Sequence, residues 1–319
     1  MNDITVVLNA SLVNYDGNID YSQIASEVVI YDETPEDKIL ERVNDFTIVV
    51  TKEMKVSGDI IRKFPDSVKM LCEAGTGYNN IDLEAIREKG IMLCNIPAYS
   101  TERVAHTAIL MILNLASSMQ KQLHMLSEGN HDNFHKHLMV DHVELNGKTL
   151  GIIGYGNIAK ETIKVAQALG MRILVSTRTP RADEEDIHFT TTEDVLMQSD
   201  FISLNCPLNA STRHMINKET LAMMKPTAYL INTARGALID EKALIYALQN
   251  NVIAGAGLDV QEIEPLDDAS PLYTMDNVIL TPHMGWRGLE TRQRLVSLIK
   301  QNISAFSKGQ PINRVDQAK

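Results

Sequence analysis

The sequence predicts an α/β fold of two parallel-sheet domains. Strand-like apolar runs alternate with helical patterns almost from end to end, and a second series of strands begins at Thr149. The first strand of that second series runs into a glycine-rich turn that opens a helix. A length of 319 residues is too great for one small core and suits two domains of ordinary size.

In the first hundred residues the expected strands are Thr5–Leu8, Val28–Tyr31, Phe46–Val50, Val68–Leu71 and Met92–Cys94. Helical patterns intervene at Glu36–Val43 and Leu83–Glu88. A long helix follows from Ser100 to Leu115, with Ser100 or Thr101 as N-cap. The second series predicts strands at Leu150–Ile153, Ile173–Val175, Phe201–Leu204, Ala228–Ile231, Ala254–Leu258 and Val278–Leu280, the set a dinucleotide-binding domain requires. The tail, Leu289 to Phe306, is an amphipathic helix without a strand partner, expected to cross back onto the N-terminal domain. Residues 127–147 are polar and without clear period, as in a surface excursion.

Composition narrows the function classes. Hydrophobic content of 44% with 22% charged residues is that of a soluble globular protein. A net charge of −11 argues against nucleic acid or a membrane surface as partner, since either selects a basic face. It does not exclude an anionic substrate, because a few local cations can dominate a site. The N-terminus reads as a first strand rather than a signal peptide, and no segment reaches the roughly 18 apolar residues of a membrane span. Cys72, Cys94 and Cys206 lie in or beside apolar strands without ligand spacing, so reduced thiols and a cytoplasmic location are expected. His131, His135 and His137 lack a carboxylate or cysteine at ligand spacing, so no metal is expected; His106, in the first turns of the long helix, reads as a residue of packing or of interdomain contact.

The glycine-rich run is Gly151-Ile-Ile-Gly-Tyr-Gly-Asn-Ile-Ala159, whose fingerprint is Gly154-x-Gly156-x-x-Ala159 with Tyr155 between the two glycines. Gly154 permits the tight turn, Gly156 lets backbone approach a pyrophosphate, and the helix N-terminus supplies amide donors. The next strand discriminates between dinucleotides. Where an NAD enzyme places Asp or Glu to accept from the ribose, this chain has Thr177, followed by Arg178 and, further on, Arg181. No carboxylate there repels a 2′-phosphate, and arginines can pair with one, so NADP is favoured over NAD.

Three later segments each follow an apolar strand and carry a reactive type: Arg235 in Asn-Thr-Ala-Arg-Gly, Glu264 in Asp-Val-Gln-Glu-Ile-Glu-Pro, and His283 in Thr-Pro-His-Met-Gly. Hydride addition to a 2-oxo carbonyl builds negative charge that a protonated histidine can neutralise. A neighbouring carboxylate favours the imidazolium, and a guanidinium can bind the substrate carboxylate or polarise the carbonyl. The three types together suit reduction of a 2-oxo acid by a nicotinamide.

With these segments, and with Ala74-Gly-Thr-Gly-Tyr-Asn-Asn-Ile-Asp82, Asn95-Ile-Pro-Ala-Tyr-Ser-Thr101, Asn205-Cys-Pro-Leu208 and Met224-Lys-Pro226, the chain resembles the D-isomer-specific 2-hydroxyacid dehydrogenases. Within that family it is most similar to the hydroxypyruvate reductase (glycerate dehydrogenase) branch. The resemblance implies a Rossmann cofactor domain over 99–284, a flavodoxin-like discontinuous substrate domain from 1–98 and 285–319, and a homodimer. It implies catalytic roles for Arg235, Glu264 and His283, and a substrate-carboxylate loop at Gly75, Thr76 and Gly77. Thr76 and Thr101 would also face the cofactor, Asn157 and Ile158 its pyrophosphate, Cys206 and Pro207 the adenine side, and Thr233, Ala234, Asp259 and Gly285 the nicotinamide. Trp286 would wall the substrate pocket, favouring short acids such as hydroxypyruvate and glyoxylate. Lactate-type and phosphoglycerate-type acids stay open, as does a dinucleotide-sensing scaffold of the corepressor kind, which shares this fold.

Overall fold

The computed structural model describes residues 3–317. The chain forms two compact units, Met1–Ser100 with Trp286–Lys319, and Thr101–Gly285. The helices, in chain order, are α1 (Ile39–Arg42), α2 (Gly58–Ile61), α3 (Leu83–Glu88), α4 (Thr101–Ala116), α5 (Met119–Ser127), α6 (Asp132–His135), α7 (Asn157–Ala168), α8 (Thr192–Gln198), α9 (Lys218–Met223), α10 (Glu241–Gln249) and α11 (Leu289–Ser307).

In the discontinuous unit, β1 (Thr5–Val7), β2 (Val28–Ile30), β3 (Ile48–Thr51), β4 (Met70–Glu73) and β5 (Met92–Cys94) form one parallel sheet in the order β2-β1-β3-β4-β5. Alternation along each strand sorts side chains between two cores. Val7, Ile48, Val50, Met70 and Cys72 pack on one face with Leu295, Ile299 and Ile303 of α11. Val6, Leu8, Val49, Leu71 and Leu93 pack on the other with Ile39, Ile61 and Ile86. Both faces of β1, β3, β4 and β5 are therefore covered, which is why these four strands read as continuous apolar runs, whereas the edge strand β2 leaves Val29 and Ile30 exposed. Arg292, on α11, fixes that helix by donating to the Val13 carbonyl at 2.8 Å and pairing with Asp16 at 2.6 Å.

β4 sits two residues later than its apolar run suggests, ending on Glu73. That carboxyl extends the strand inside the core because it accepts from Thr51 Oγ1 at 2.8 Å, the Glu53 amide at 2.8 Å and Asn80 Nδ2 at 3.0 Å.

The second unit has seven parallel strands rather than six: β6 (Thr149–Ile153), β7 (Arg172–Ser176), β8 (Ile187–Thr190), β9 (Phe201–Leu204), β10 (Tyr229–Asn232), β11 (Gly255–Leu258) and β12 (Val278–Leu280). The additional strand, β8, is a four-residue edge strand without a fully buried position, so it carries no apolar run. The order β12-β11-β10-β9-β6-β7-β8 makes β6 and β9 neighbours that lead the chain in opposite directions. Ligands of such sheets bind beyond the strand ends at this switch point. One long helix packs unusually close: a Cβ at Gly257 of β11 would come within 2.9 Å of Met111 on α4. The polar 127–147 stretch holds the end of α5 and all of α6, whose residues are not buried.

Candidate active site

The switch point is built by glycine. Gly154, directly after β6, has φ +97, and its amide donates to the Ser176 carbonyl at 2.8 Å. A Cβ there would lie 2.7 Å from the Asn205 carbonyl carbon and the Cys206 nitrogen, so only glycine lets the β6 turn and the β9 loop meet. At Gly156 a Cβ would meet no protein atom within 4 Å. That residue caps α7, which has no side-chain cap and no acid in its first turn. The amides of Asn157 and Ile158 thus begin a twelve-residue helix whose positive end faces open space, the donor set an anion such as a pyrophosphate takes. Ala159 is buried against the sheet core, the packing task of the third fingerprint position.

Around this turn, Tyr155 donates to Glu184 Oε2 at 2.8 Å and packs edge-on against Phe189. Thr177 Oγ1 donates to the Thr179 carbonyl at 2.6 Å, and Arg178 is exposed. Arg181 instead pairs with Glu184 at 3.1 Å and lies over the Tyr155 ring. Cys206 is partly buried beside Met215, and burial pushes its thiol up to about 11. Pro207 follows in the same loop, its carbonyl accepting from Thr212 Oγ1 at 2.7 Å.

The loops after β10, β11 and β12 converge. Asn232, wholly buried at the end of β10, holds Thr233, Ala234 and Arg235 in a tight turn. Its Oδ1 accepts from the Ala234 amide at 3.0 Å and its Nδ2 donates to the Arg235 carbonyl at 2.9 Å. The next residue, Gly236, touches the loop after β11 backbone to backbone: a Cβ there would lie 1.8 Å from the Gln261 carbonyl oxygen. Arg235 therefore stands beside the segment that carries Glu264.

That segment has three acids with three tasks. Asp259, 1% exposed, organises the turn after β12: Oδ1 accepts from Thr281 Oγ1 at 2.5 Å and the Met284 amide at 2.9 Å, and Oδ2 from the Gly285 amide at 2.8 Å. Glu262 faces away to His214, 2.6 Å from its Nε2. Glu264 faces His283: its Oε1 accepts from the Gln261 amide at 3.1 Å, and its Oε2 lies 2.8 Å from His283 Nδ1. His283 sits in the left-handed region at φ +50, and its amide donates to the Asp259 carbonyl at 2.8 Å. An imidazole oriented through Nδ1 by a carboxylate can exchange a proton at Nε2. Asn232 and Gly236 escaped the sequence reading; an amide closing an apolar strand was the available signal for the first.

In the discontinuous unit, the loop Gly75, Thr76 and Gly77 follows β4. Thr76 Oγ1 donates to the Ile96 carbonyl at 3.1 Å, and the Thr76 carbonyl accepts from Asn95 Nδ2 at 2.8 Å. Trp286 opens the returning segment of this unit, 3% exposed and packed in the core that α11 covers. Thr101 begins α4 in the second unit, and His106 is exposed on that helix. No helix among the described residues is long and apolar enough to cross a membrane.

Residues 109–285 match the sequence profile of the D-isomer specific 2-hydroxyacid dehydrogenase, NAD binding domain. The chain is 35% identical over 321 residues to a hydroxypyruvate reductase of Blautia hydrogenotrophica, covering 98% of this chain and 99% of that one. It is 37% identical to a glyoxylate reductase of Pyrococcus furiosus, over 87% of this chain and 84% of that one. Among solved structures, a glyoxylate reductase from Paecilomyes thermophila superposes with a TM-score of 0.85 at 32% identity, covering 99% of each chain.

Proposed function

The chain belongs to the D-isomer-specific 2-hydroxyacid dehydrogenase family of NAD(P)H-dependent 2-oxo acid reductases, and from that premise we propose that it reduces short 2-oxo acids, hydroxypyruvate and glyoxylate foremost, to the (R)-2-hydroxy acid. The observation that carries the reading is the 2.8 Å contact of His283 Nδ1 with Glu264, beside the loop of Arg235. The bound dinucleotide supplies the hydride. His283 delivers a proton to the carbonyl oxygen as charge builds there, and takes it back in the oxidative direction. Glu264 orients the ring and balances the imidazolium. Arg235 binds the carboxylate or polarises the carbonyl with a permanent charge. Gly75, Thr76 and Gly77 offer backbone to the substrate carboxylate, and Trp286 limits the length of acid accepted.

The unit Thr101–Gly285 is assigned to the cofactor and the discontinuous unit to the substrate. NADP is preferred over NAD, because Thr177 and exposed Arg178 stand where a carboxylate would select the ribose hydroxyl. Arg181 contributes less to that preference, being paired with Glu184. Thr76, Thr101, Tyr155, Cys206, Pro207, Thr233, Ala234, Asp259 and Gly285 complete the cofactor's surroundings. The protein works as a cytoplasmic homodimer without nucleic-acid or membrane partners. The test is a panel of 2-oxo acids against NADPH and NADH. Hydroxypyruvate and glyoxylate with NADPH should lead; no oxidation of either dinucleotide with any short 2-oxo acid overturns the proposal.

A further inference from the structure

Below the loop at 75–77 the structure buries a charge that the mechanism above does not use. Lys52, the residue after β3, is 2% exposed. Its ammonium pairs with Glu53 and lies 3.5 Å from the Tyr99 hydroxyl and 3.9 Å from the centroid of the Trp286 ring. Asn9 holds its backbone from both sides, accepting from the Lys52 amide at 2.9 Å and donating to its carbonyl at 2.5 Å. The cluster reaches the loop directly: a Cβ at Gly75 would lie 3.4 Å from Glu73 Oε1 and 3.6 Å from Lys52 Nζ. Burial alone disfavours the ammonium, yet Tyr99, Glu53 and Glu73 outweigh it and hold Lys52 above the usual lysine range.

The loop itself is arranged for an anion. Its carbonyls turn inward, that of Gly75 accepting from the Ile96 amide at 2.9 Å and that of Thr76 from Asn95 Nδ2 at 2.8 Å. Among the described residues no acceptor is seen for the amides of Gly75, Thr76 or Gly77. Backbone amides left without acceptors in a turn form a concave donor site for anions. A second orphan stands in the same cluster, since the buried Trp286 Nε1 has no hydrogen-bond partner.

We propose that Lys52 is the counter-charge of the substrate carboxylate, a positioning residue that acts through the Gly75–Gly77 loop. The amides of the loop would make the contacts, while the ammonium beneath supplies the positive potential that makes the site favour a carboxylate. Water is excluded from Lys52, so its field is offset only by its ion pair with Glu53 and by the Glu73 carboxyl, which burial pushes up toward its neutral form. This inference rests on the proposed 2-oxo acid substrate. It would explain why a strand end otherwise made for apolar residues carries a lysine.

The experiment compares Lys52→Met with the wild type, using glyoxylate, NADPH and oxalate, a non-reacting dicarboxylate. KM for glyoxylate and Ki for oxalate should both rise at least about tenfold, with kcat and the KM for NADPH within about twofold. A merely structural lysine would not separate these quantities, since a loosened fold lowers kcat and weakens both ligands together. An unchanged KM for glyoxylate, or a KM for NADPH that rises in step with it, overturns the proposal. If Lys52→Met fails to fold because Glu53 loses its ion-pair partner, Lys52→Met/Glu53→Gln removes both charges of the pair at nearly constant shape and carries the same expectation. Should the wild type reduce no 2-oxo acid, oxalate binding by calorimetry still tests Lys52. Equal affinity in wild type and variant then rejects it independently of the reaction.

Discussion

Gly236→Ala tests whether the loops after β10 and β11, which carry the proposed catalytic groups, are held in place by a backbone contact that only glycine allows. A Cβ at this position would lie 1.8 Å from the Gln261 carbonyl oxygen, 1.9 Å from its carbon and 2.5 Å from the Glu262 nitrogen. All three are main-chain atoms, so no side chain can swing aside. Opening the 1.8 Å approach to the 3.0 Å that real Cβ contacts respect moves the loops after β10 and β11 apart by about 1.2 Å. Overpacking of this kind costs about 1–3 kcal/mol. At about 2–4 °C per kcal/mol for a domain of this size, the melting temperature falls by about 2–12 °C. Activity should suffer more than stability, because a misplacement of about 1 Å costs about 10²-fold in rate. The assay is steady-state reduction of glyoxylate by NADPH, beside thermal unfolding and a direct measurement of NADPH binding. Binding should be retained, since the 154–158 turn does not touch this contact. A variant with kcat within threefold of wild type and an unshifted melting temperature would show that the separation of Arg235 from Glu264 does not matter.

Three further outcomes are expected. His283→Ala should lower kcat at least about 10²-fold while NADPH still binds; near-normal turnover removes this histidine from the chemistry. Thr177→Asp places a carboxylate where the 2′-phosphate of NADP would lie, so the ratio of kcat/KM with NADPH to that with NADH should fall at least about tenfold, and an unchanged ratio refutes the assignment. Asp16 is held well below the usual carboxylate range, chiefly by its hydrogen bond from Arg292. A depressed carboxyl contributes stability above its unfolded value of about 3.9 that is lost as pH falls below it. The stability gap between wild type and Asp16→Asn should therefore be constant from neutral pH to about 5, begin to narrow as pH falls below about 4, and close only as pH approaches the depressed native value, read from urea midpoints. A gap as wide at pH 3 as at neutral pH would disconnect the pair from acid stability.

Local pattern and long-range contact divide this protein cleanly. The central strand Phe201–Leu204 was legible residue for residue, because a parallel strand covered on both faces must be apolar throughout. The edge strand Ile187–Thr190 was not, because one exposed side removes that requirement. Strand β4 slipped by two residues because hydropathy stops at a carboxylate, whereas the strand stops where Thr51 and Asn80 cease to satisfy one. The helix Met119–Ser127 buries none of its residues, so it leaves little apolar signal.

The amino-acid sequence by itself determined which reactive groups exist and that each follows a buried strand: Arg235 after β10, Glu264 after β11, His283 after β12. Strand ends are local features, and parallel packing puts them on one side of the sheet. What the groups do to each other was decided by the tertiary structure. Asp259, Glu262 and Glu264 are chemically alike and adjacent in sequence, yet one builds a turn, one meets His214 and one meets His283. Lys52 looked like any lysine beside a glutamate until folding enclosed it beneath Gly75 and against Trp286. The partners of these charges lie tens to hundreds of residues away along the chain, and the strength of an electrostatic contact depends on distance and burial in space, which no local pattern encodes.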